Sequence, residues 1–254
     1  MHIEIDGRSA TLEQLSAAAP AGYGHFTAMQ VRNGRVRGLG LHLARLDAAN
    51  REMFGAGLDT AGVAGHIRHA LDGQARDASV RVYVYETPNG LAVMVTVRPP
   101  GTMAPDVWRL QTVPYQRSLA HIKHLGDFGQ GYYQRLAHSN GFDEALLTGP
   151  GGIICEGSIT NIGFSDGTGV LWPDAPALAG ITMQILQRAL AERGVPSRHA
   201  PVRVSDLGTF AGAFVTNSHG IAPVGQVNDL PLPVNGALMS TVTQAYESAG
   251  WDQI

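Results

Sequence analysis

Short strand-like segments alternate with helical segments along the chain, and this alternation limits the possible folds more than any other feature. Residues 25–31 have the alternation typical of a strand, and Asn33-Gly34 supplies the turn that follows. Apolar residues then recur at helical spacing through residues 42–54, and β-rich sequence returns at residues 80–85. The sequence therefore predicts an α+β fold.

Two domains are favoured over one. The 254 residues suffice for one large or two small domains, and the pattern changes in the middle of the chain. Pro99-Pro100-Gly101 marks a break, although a strand-like segment at residues 107–113 follows before Pro114. We expect a smaller N-terminal α+β domain at residues 1–114, a linker at residues 115–122 and a larger C-terminal domain at residues 123–254.

Charge and composition exclude several classes of protein. The formal net charge of −3 gives no basic surface for nucleic acid. No apolar run could span a membrane, and no signal peptide begins the chain. We therefore expect a cytoplasmic location and no membrane partner. The single cysteine, Cys155, excludes an intrachain disulfide and a cysteine metal cluster. His66 and His69 are expected on a solvated helix face, so no metal site is predicted.

Lys123 is the only lysine in the chain, whereas 17 residues are arginine. Arginine stays protonated in proteins, but a buried lysine can lose its proton. Schiff-base formation, nucleophilic attack and general-base catalysis all need an amine of this kind. The alternative is a coding bias toward arginine that spared one lysine by chance, so the other motifs must decide.

Three further segments place polar groups at turns or at a helix start. Glu156 lies in a tight polar turn at residues 155–161, residues 180–182 open a predicted helix, and residues 216–220 follow a short strand. Each segment alone has an ordinary structural interpretation as a hairpin, a helix start or a turn. Together with Lys123 they meet the needs of pyridoxal 5′-phosphate. Its aldehyde needs a lysine, and its ring nitrogen needs a carboxylate. Its phosphate needs a cation and the amide groups of a protein backbone.

Six motifs occur in the order in which one enzyme family has them. They are residues 42–46, 122–125, 143–147, 156–158 with Asn161, 180–182 and 214–224. Over roughly residues 24 to 225 the chain thus resembles the fold-type IV, or class IV, pyridoxal-phosphate enzymes. This family includes D-amino-acid and branched-chain aminotransferases, (R)-selective amine transaminases and aminodeoxychorismate lyase.

The resemblance implies an α+β, two-domain fold-type IV enzyme with its cofactor at the domain interface, and a homodimer. Lys123 would hold the cofactor as a Schiff base and carry a proton, and Glu156 would pair with the ring nitrogen. The residues implied to bind the phosphate are Arg45, Ile181, Thr182 and one or more of Asn217, Ser218 and His219.

The N-terminal segment departs from the family pattern. The family often reads Tyr-Gly-Asp-Gly-x-Phe-Glu there, and this chain has Ala21 and Thr27 at the tyrosine and glutamate positions. The tyrosine and the glutamate side chains by which the family would recognise a substrate carboxylate are therefore absent at these positions. The candidate substrate-binding residues that remain are Tyr23, Thr27, Tyr83 and Tyr85.

By this resemblance the expected activity is transfer of an amino group from an amine or amino acid, of D or (R) configuration, to a 2-oxo acid. One alternative is aminodeoxychorismate lyase, which releases pyruvate and p-aminobenzoate, and which residues 26–27 and 123–125 resemble. The length of the loop at residues 216–224 is nearer to that of amine transaminases. A second alternative, suggested by the altered N-terminal segment, is a non-catalytic pyridoxal-phosphate-binding protein.

Overall fold

The computed structural model describes residues 1–18, 22–73 and 76–254, which form two compact units. The first unit comprises Met1–Gly101, Ile122–Gly126 and Gly250–Ile254. The second comprises Thr102–His121 and Asp127–Ala249. Both units mix helices with sheets, as predicted for an α+β chain.

The first unit is built on an antiparallel sheet in the order β2-β1-β6-β5-β3. Its elements are β1 (His2–Ile5), β2 (Arg8–Ser9), α1 (Leu12–Ala18), β3 (Gly24–Val31), β4 (Arg35–Val36), α2 (Leu39–Phe54), α3 (Thr60–Leu71), β5 (Ala78–Thr87) and β6 (Gly90–Arg98). Successive side chains of a strand point to opposite faces, so one face buries Met29 and Val82 against Leu46 of α2 and Ile67 of α3. This face forms the core of the first unit.

The second unit is built on a larger mixed sheet. Its elements are β7 (Trp108–Val113), α4 (Phe128–Ser139), β8 (Glu144–Thr148), β9 (Ile154–Gly157), β10 (Asn161–Ser165), β11 (Val170–Pro173), α5 (Ile181–Glu192), β12 (Ser197–Ala200), β13 (Gly212–Asn217), β14 (Gly220–Val227), β15 (Leu230–Pro231) and α6 (Gly236–Ser248). The strand order is β12-β11-β10-β13-β14-β7-β8-β9, with β15 paired to β14. Short 3-10 turns occur at Pro150–Gly152 and Val204–Thr209.

Apolar side chains cover both faces of this second sheet. Trp172 and Phe214 pack with Leu186 of α5 and Val242 of α6. Val215, which follows Phe214 in β13, points to the other face and belongs to a separate apolar cluster. Strands β9 and β13 are buried along almost their whole length, and polar turns follow each of them.

The two units differ from the predicted domains and linker in four places, the first being that residues 115–121, predicted as a linker, belong to the second unit. Strand β7 pairs in parallel with β8 and β14, so residues 102–113 belong to the second unit. Ile122–Gly126 returns to the first unit because its backbone pairs with β3. The C-terminal strand β16 (Asp252–Gln253) pairs with β4 and thereby joins the first unit. Pairing between residues distant in sequence therefore sets these boundaries.

The described residues contain no helix long and apolar enough to cross a membrane. Over the same residues there is no group of three or more His, Cys, Asp or Glu side chains arranged to hold a metal ion.

Candidate active site

Lys123 lies against the outer edge of β3 in the first unit. Phe26 N donates a hydrogen bond to Lys123 O at 2.8 Å, and Leu125 N donates to Gly24 O at 2.9 Å. A Cβ at Gly24 would lie 2.9 Å from Leu125 Cδ1, so glycine lets the two segments approach. Lys123 Nζ lies 4.7 Å from the ring centroid of Phe26, within cation–π range. The only lysine is thus held half-buried against an aromatic ring.

Arg45 of α2 is directed toward β3. Arg45 Nη2 donates to Thr27 Oγ1, and that hydroxyl lies 2.6 Å from His42 Nδ1. Arginine is only a donor, so the Thr27 oxygen accepts from Arg45, whereas the direction of its bond with His42 depends on which imidazole nitrogen carries the proton. Burial lowers the pKa of His42 well below its usual value, and the Arg45 charge lowers it further. Burial also lowers the pKa of Arg45 to about 10, so the guanidinium stays charged at neutral pH.

The N-terminal substrate candidates differ in exposure. Tyr23 is exposed, donates its hydroxyl proton to Met53 O at 3.1 Å and lines an open depression of about 540 Å³ with Glu86. Thr27 is buried, and its hydroxyl is engaged by the two α2 side chains just described. Ala21, at the other position of departure, lies outside the described residues.

The two tyrosines of β5 share the face of the sheet that Lys123 contacts. Tyr83 stacks on Phe26 with 5.5 Å between ring centroids. Tyr85 is buried in an apolar cluster that includes Leu125, and burial raises the pKa of its hydroxyl. Tyr83 is therefore the candidate that the fold brings beside the ring that Lys123 covers.

Glu156, at the end of β9, is a buried carboxylate in the second unit, and a donor engages each of its oxygens. Arg117 Nη1 donates to Glu156 Oε1 at 3.1 Å, and Leu178 N donates to Oε2 at 3.1 Å. The same Arg117 nitrogen also donates to Ala120 O at 2.9 Å. Arg117 was not among the predicted site residues. The requirement for a compensating charge beside a buried carboxylate is the sequence-level reason to search for such a partner.

The turn after Glu156 is organised by a second buried carboxylate, Glu144 at the start of β8. Glu144 accepts hydrogen bonds from Ser158 Oγ at 3.2 Å, Ile159 N at 2.6 Å and Thr160 Oγ1 at 2.7 Å. A Cβ at Gly157 would lie 2.7 Å from Glu144 Oε1, so only glycine fits there. Burial raises the pKa of Glu144 to about 7, although the hydrogen bonds lower it. Glu144 belongs to the motif at residues 143–147, but the sequence did not predict that it organises this turn.

The start of α5 is held beside Glu156 through Leu178. Asn161 Nδ2 donates to Leu178 O at 2.7 Å, and a Cβ at Gly180 would collide with Asn161 Oδ1. No described side chain caps α5 at Gly180, so this helix start presents backbone N–H groups. Thr182 Oγ1 donates to Asn217 O at 2.8 Å, which ties the first turn of α5 to the end of β13.

The loop at residues 217–219 is fixed by its own asparagine. Asn217 Oδ1 accepts from His219 N at 2.7 Å, and Asn217 Nδ2 lies 3.5 Å from Ile159 O. Ser218 is half-buried and His219 is exposed. The second unit therefore links Glu156, the start of α5 and this loop through hydrogen bonds.

Each unit by itself supplies groups that pyridoxal phosphate requires. The first unit has the lysine amine and the half-buried Arg45 guanidinium. The second has a buried carboxylate with fixed oxygens, and an uncapped helix start beside a threonine hydroxyl. A helix N-terminus and a guanidinium suit a phosphate, and a carboxylate suits a ring N–H. The residues present therefore fit this cofactor.

Comparison with known proteins agrees with this chemistry. The model of the family described as amino-transferase class IV matches residues 24–227. No curated protein matches the chain. Two solved structures, each 19% identical, are a hypothetical aminotransferase from Mycobacterium tuberculosis in its PLP-bound form and a branched-chain aminotransferase from Thermoproteus uzoniensis with norvaline. The first covers 98% of both chains with a TM-score of 0.84, and the second covers 97% of this chain and 93% of its own with 0.87.

A third solved structure is a putative 4-amino-4-deoxychorismate lyase from Legionella pneumophila. It is 17% identical, covers 87% of this chain and 89% of its own, and has a TM-score of 0.81. At such identities these likenesses establish the fold, and they do not separate one activity from another.

Proposed function

The chain belongs to the class IV aminotransferase family, and we propose that it is a pyridoxal-phosphate-dependent transaminase for amines or amino acids of D or (R) configuration, with a 2-oxo acid as acceptor. The proposal depends on two groups that this cofactor needs, an amine and a buried carboxylate. The only lysine is fixed by backbone bonds at β3, and Glu156 is a buried carboxylate with both oxygens oriented.

Lys123 and Glu156 have the central roles in this proposal. Pyridoxal phosphate, when bound, supplies a ring that stabilises negative charge at the substrate carbon. Lys123 Nζ would hold the cofactor through its aldehyde and, as a neutral amine, would carry the substrate proton. Glu156 would accept a hydrogen bond from the protonated ring nitrogen of the bound cofactor and would favour that protonated form. The single lysine of the chain supports the first role, and the buried ion pair with Arg117 supports the second.

Phosphate binding is proposed for residues of three segments. Arg45 supplies a guanidinium, and the α5 start supplies N–H groups of Ile181 and Thr182 in the positive end of a helix dipole. Asn217, Ser218 and His219 complete the set from the loop after β13. For the substrate we retain Tyr83 as the candidate beside the Lys123 segment, with Tyr23, Thr27 and Tyr85 as the other predicted residues.

Aminodeoxychorismate lyase is the second candidate activity. Residues 26–27 and 123–125 favour it, because Phe-Thr and Lys-His-Leu at these places resemble that subgroup. Both activities use the same lysine, so the lysine does not distinguish them. A pyridoxal-phosphate-binding protein without turnover is the third possibility that the experiment below addresses.

The deciding experiment follows the visible spectrum of the cofactor-loaded protein on addition of D-alanine or L-alanine without a 2-oxo acid. Transamination predicts loss of the lysine-bound cofactor band with D-alanine, and its return when pyruvate is added. Release of p-aminobenzoate from aminodeoxychorismate, with no response to D-alanine or to (R)-configured amines, would favour the lyase instead. A band that no substrate changes would indicate a binding protein.

We also propose that the protein is a homodimer. Charged residues make up 15% of the chain, against about a quarter in an average domain, which suggests a surface partly covered by another chain. Phe128 and Tyr132 of α4 are exposed and stack on each other, so an apolar surface is available. Sedimentation equilibrium at micromolar concentration tests this, and a monomer mass would contradict it.

A further inference from the structure

We propose that Arg117 is a positioning residue for the reaction: it keeps Glu156 an oriented anion, so that the shared proton resides on the cofactor ring nitrogen rather than on the carboxyl group. This inference rests on the proposed function, because it concerns the same site. It assigns a role to a residue that none of the sequence motifs includes.

The geometry of the ion pair is the first support. Arg117 and Glu156 are separated by 39 positions in sequence, and their side chains are only 4% and 5% exposed. Arg117 Nη1 bridges Ala120 O and Glu156 Oε1, so the guanidinium is itself anchored to the backbone. Leu178 N fixes the other carboxylate oxygen. Donors on both oxygens thus restrict the orientation of the carboxylate.

The acceptor capacity of the carboxylate is the second support. An ionised carboxylate has about four acceptor positions, and these bonds to Arg117 and Leu178 use one on each oxygen. They therefore do not by themselves exhaust its capacity to accept from a ring N–H. Arg117 orients Glu156 in a way that is compatible with its proposed contact to the cofactor.

The position of the proton follows from electrostatics. Between a carboxyl group and a pyridine nitrogen, one proton can reside on either partner. A neighbouring guanidinium stabilises the carboxylate anion, most strongly where water is excluded. The charged arrangement, with the proton on the ring nitrogen and Glu156 ionised, is then favoured. Without Arg117, an ionised Glu156 would be buried without the guanidinium charge beside it, so the carboxyl group would be favoured to retain the proton.

Loss of Arg117 should therefore act on the electron-withdrawing power of the ring more than on binding. A ring without its proton stabilises negative charge less well, so turnover slows. The contacts of Lys123 and of the phosphate-binding residues do not involve Arg117 in the proposed scheme. KM and the affinity for the cofactor should consequently change little.

The test uses the full-length protein loaded with pyridoxal phosphate labelled with ¹⁵N in the ring. The ¹⁵N chemical shift reports directly whether the nitrogen carries a proton. We expect a protonated ring in the natural protein and an unprotonated ring in Arg117→Gln at the same pH. The kcat of Arg117→Gln should fall about 10-fold to 100-fold, with KM within about threefold, corresponding to one charged hydrogen bond.

Two further variants keep the test decisive. Arg117→Lys retains the charge without the planar fork, so the pH at which the ring nitrogen loses its proton should lie between those of the natural protein and Arg117→Gln. Arg198→Gln is the matched control, because it breaks an exposed ion pair with Asp166 in the same unit, and it should change neither quantity. Thermal unfolding by circular dichroism checks that each variant is folded.

The outcomes separate this inference from the function on which it rests. If the natural protein takes up no pyridoxal phosphate, both fall. If it binds the cofactor but its ring nitrogen is unprotonated, or if Arg117→Gln leaves the ¹⁵N shift and kcat unchanged, only the role of Arg117 is overturned. Should Arg117→Gln fail to fold, an unchanged midpoint in Arg117→Lys overturns it equally.

Discussion

The hydroxyl of Thr182 donates to the main-chain oxygen of Asn217 at 2.8 Å, so the first turn of α5 is joined to the turn that follows β13. Both segments carry residues proposed to bind the cofactor phosphate. Their relative position therefore depends on one side-chain hydrogen bond, and not only on the packing of the helix against the sheet.

Replacing Thr182 with valine tests this connection. Valine keeps the shape but leaves Asn217 O without its donor, which costs about 1 kcal/mol and corresponds to about fivefold to tenfold weaker binding of pyridoxal phosphate. Cofactor titration followed by absorbance measures the change. Thr209→Val is the control, since the Thr209 hydroxyl also donates to a backbone oxygen but lies in an exposed 3-10 turn. Equal affinities in the two variants would remove Thr182 from the phosphate site.

Replacing Arg45 with glutamine should weaken binding of pyridoxal phosphate but not of pyridoxal, which lacks the phosphate. A hydrogen bond to a charged group contributes about 1.5 to 3 kcal/mol, so we expect about 10-fold to 100-fold loss for the phosphorylated ligand alone. Titration with each ligand gives the comparison. Arg51→Gln, on the same helix but in an exposed pair with Asp47, should leave both affinities unchanged. A parallel loss for pyridoxal would mean that Arg45 acts on the fold.

Replacing Lys123 with arginine should abolish covalent attachment of the cofactor while formal charge is kept. Because no second lysine exists, no other side chain of this type can substitute. Borohydride reduction followed by peptide mass analysis should find the pyridoxyl group on Lys123 in the natural protein and on no side chain of the variant. A reduced adduct that persists in Lys123→Arg would contradict the assignment.

The raised pKa of Glu144 predicts how the free energy of unfolding depends on pH. Its pKa is about 7 in the folded protein, against an ordinary value of 4.5, because it is buried. The folded state therefore holds a proton that the unfolded state has already released. The stabilisation is complete below pH 4.5 and is lost as pH rises through 7, a change of up to about 3 kcal/mol.

Replacing Glu144 with glutamine should remove this dependence. The amide oxygen can accept from Ser158 and Ile159, and the amide nitrogen can donate to the Thr160 hydroxyl, so the turn is kept. Urea unfolding from pH 4.5 to 7.5 measures the difference between the natural protein and Glu144→Gln. A difference that is constant over this range would contradict the prediction. The exposed Glu192→Gln is the control.

Local sequence signals predicted several elements of the second unit well. The helix predicted to open at residues 180–182 is α5, which spans Ile181–Glu192, and Gly194, a residue type that commonly ends helices, has a φ of +70°. Asp166-Gly167 is a dipeptide typical of hairpin turns, and Gly167 has a φ of +90° between β10 and β11. Helix ends and tight turns are decided by residues next to one another, so the sequence contains the information.

Contacts between segments distant in sequence were not predicted by these local signals. The contact of Glu4 with His69, at 2.8 Å between Oε2 and Nδ1, joins β1 to α3 across 65 positions. The pairing of Lys123 with β3 assigns it to the first unit, although the sequence suggested that it begins the second domain. Backbone hydrogen-bonding groups are alike in every residue, so sequence alone does not say which distant segments will pair.

The sequence by itself determined the family motifs, the single lysine and the α+β character of this chain. The tertiary structure decided that Arg117 meets Glu156, that Glu144 shapes the next turn and that Arg45 is directed toward Thr27. The physical reason is that a buried charge must find a partner wherever the fold brings one close, and closeness in space is set by the packing of the whole unit.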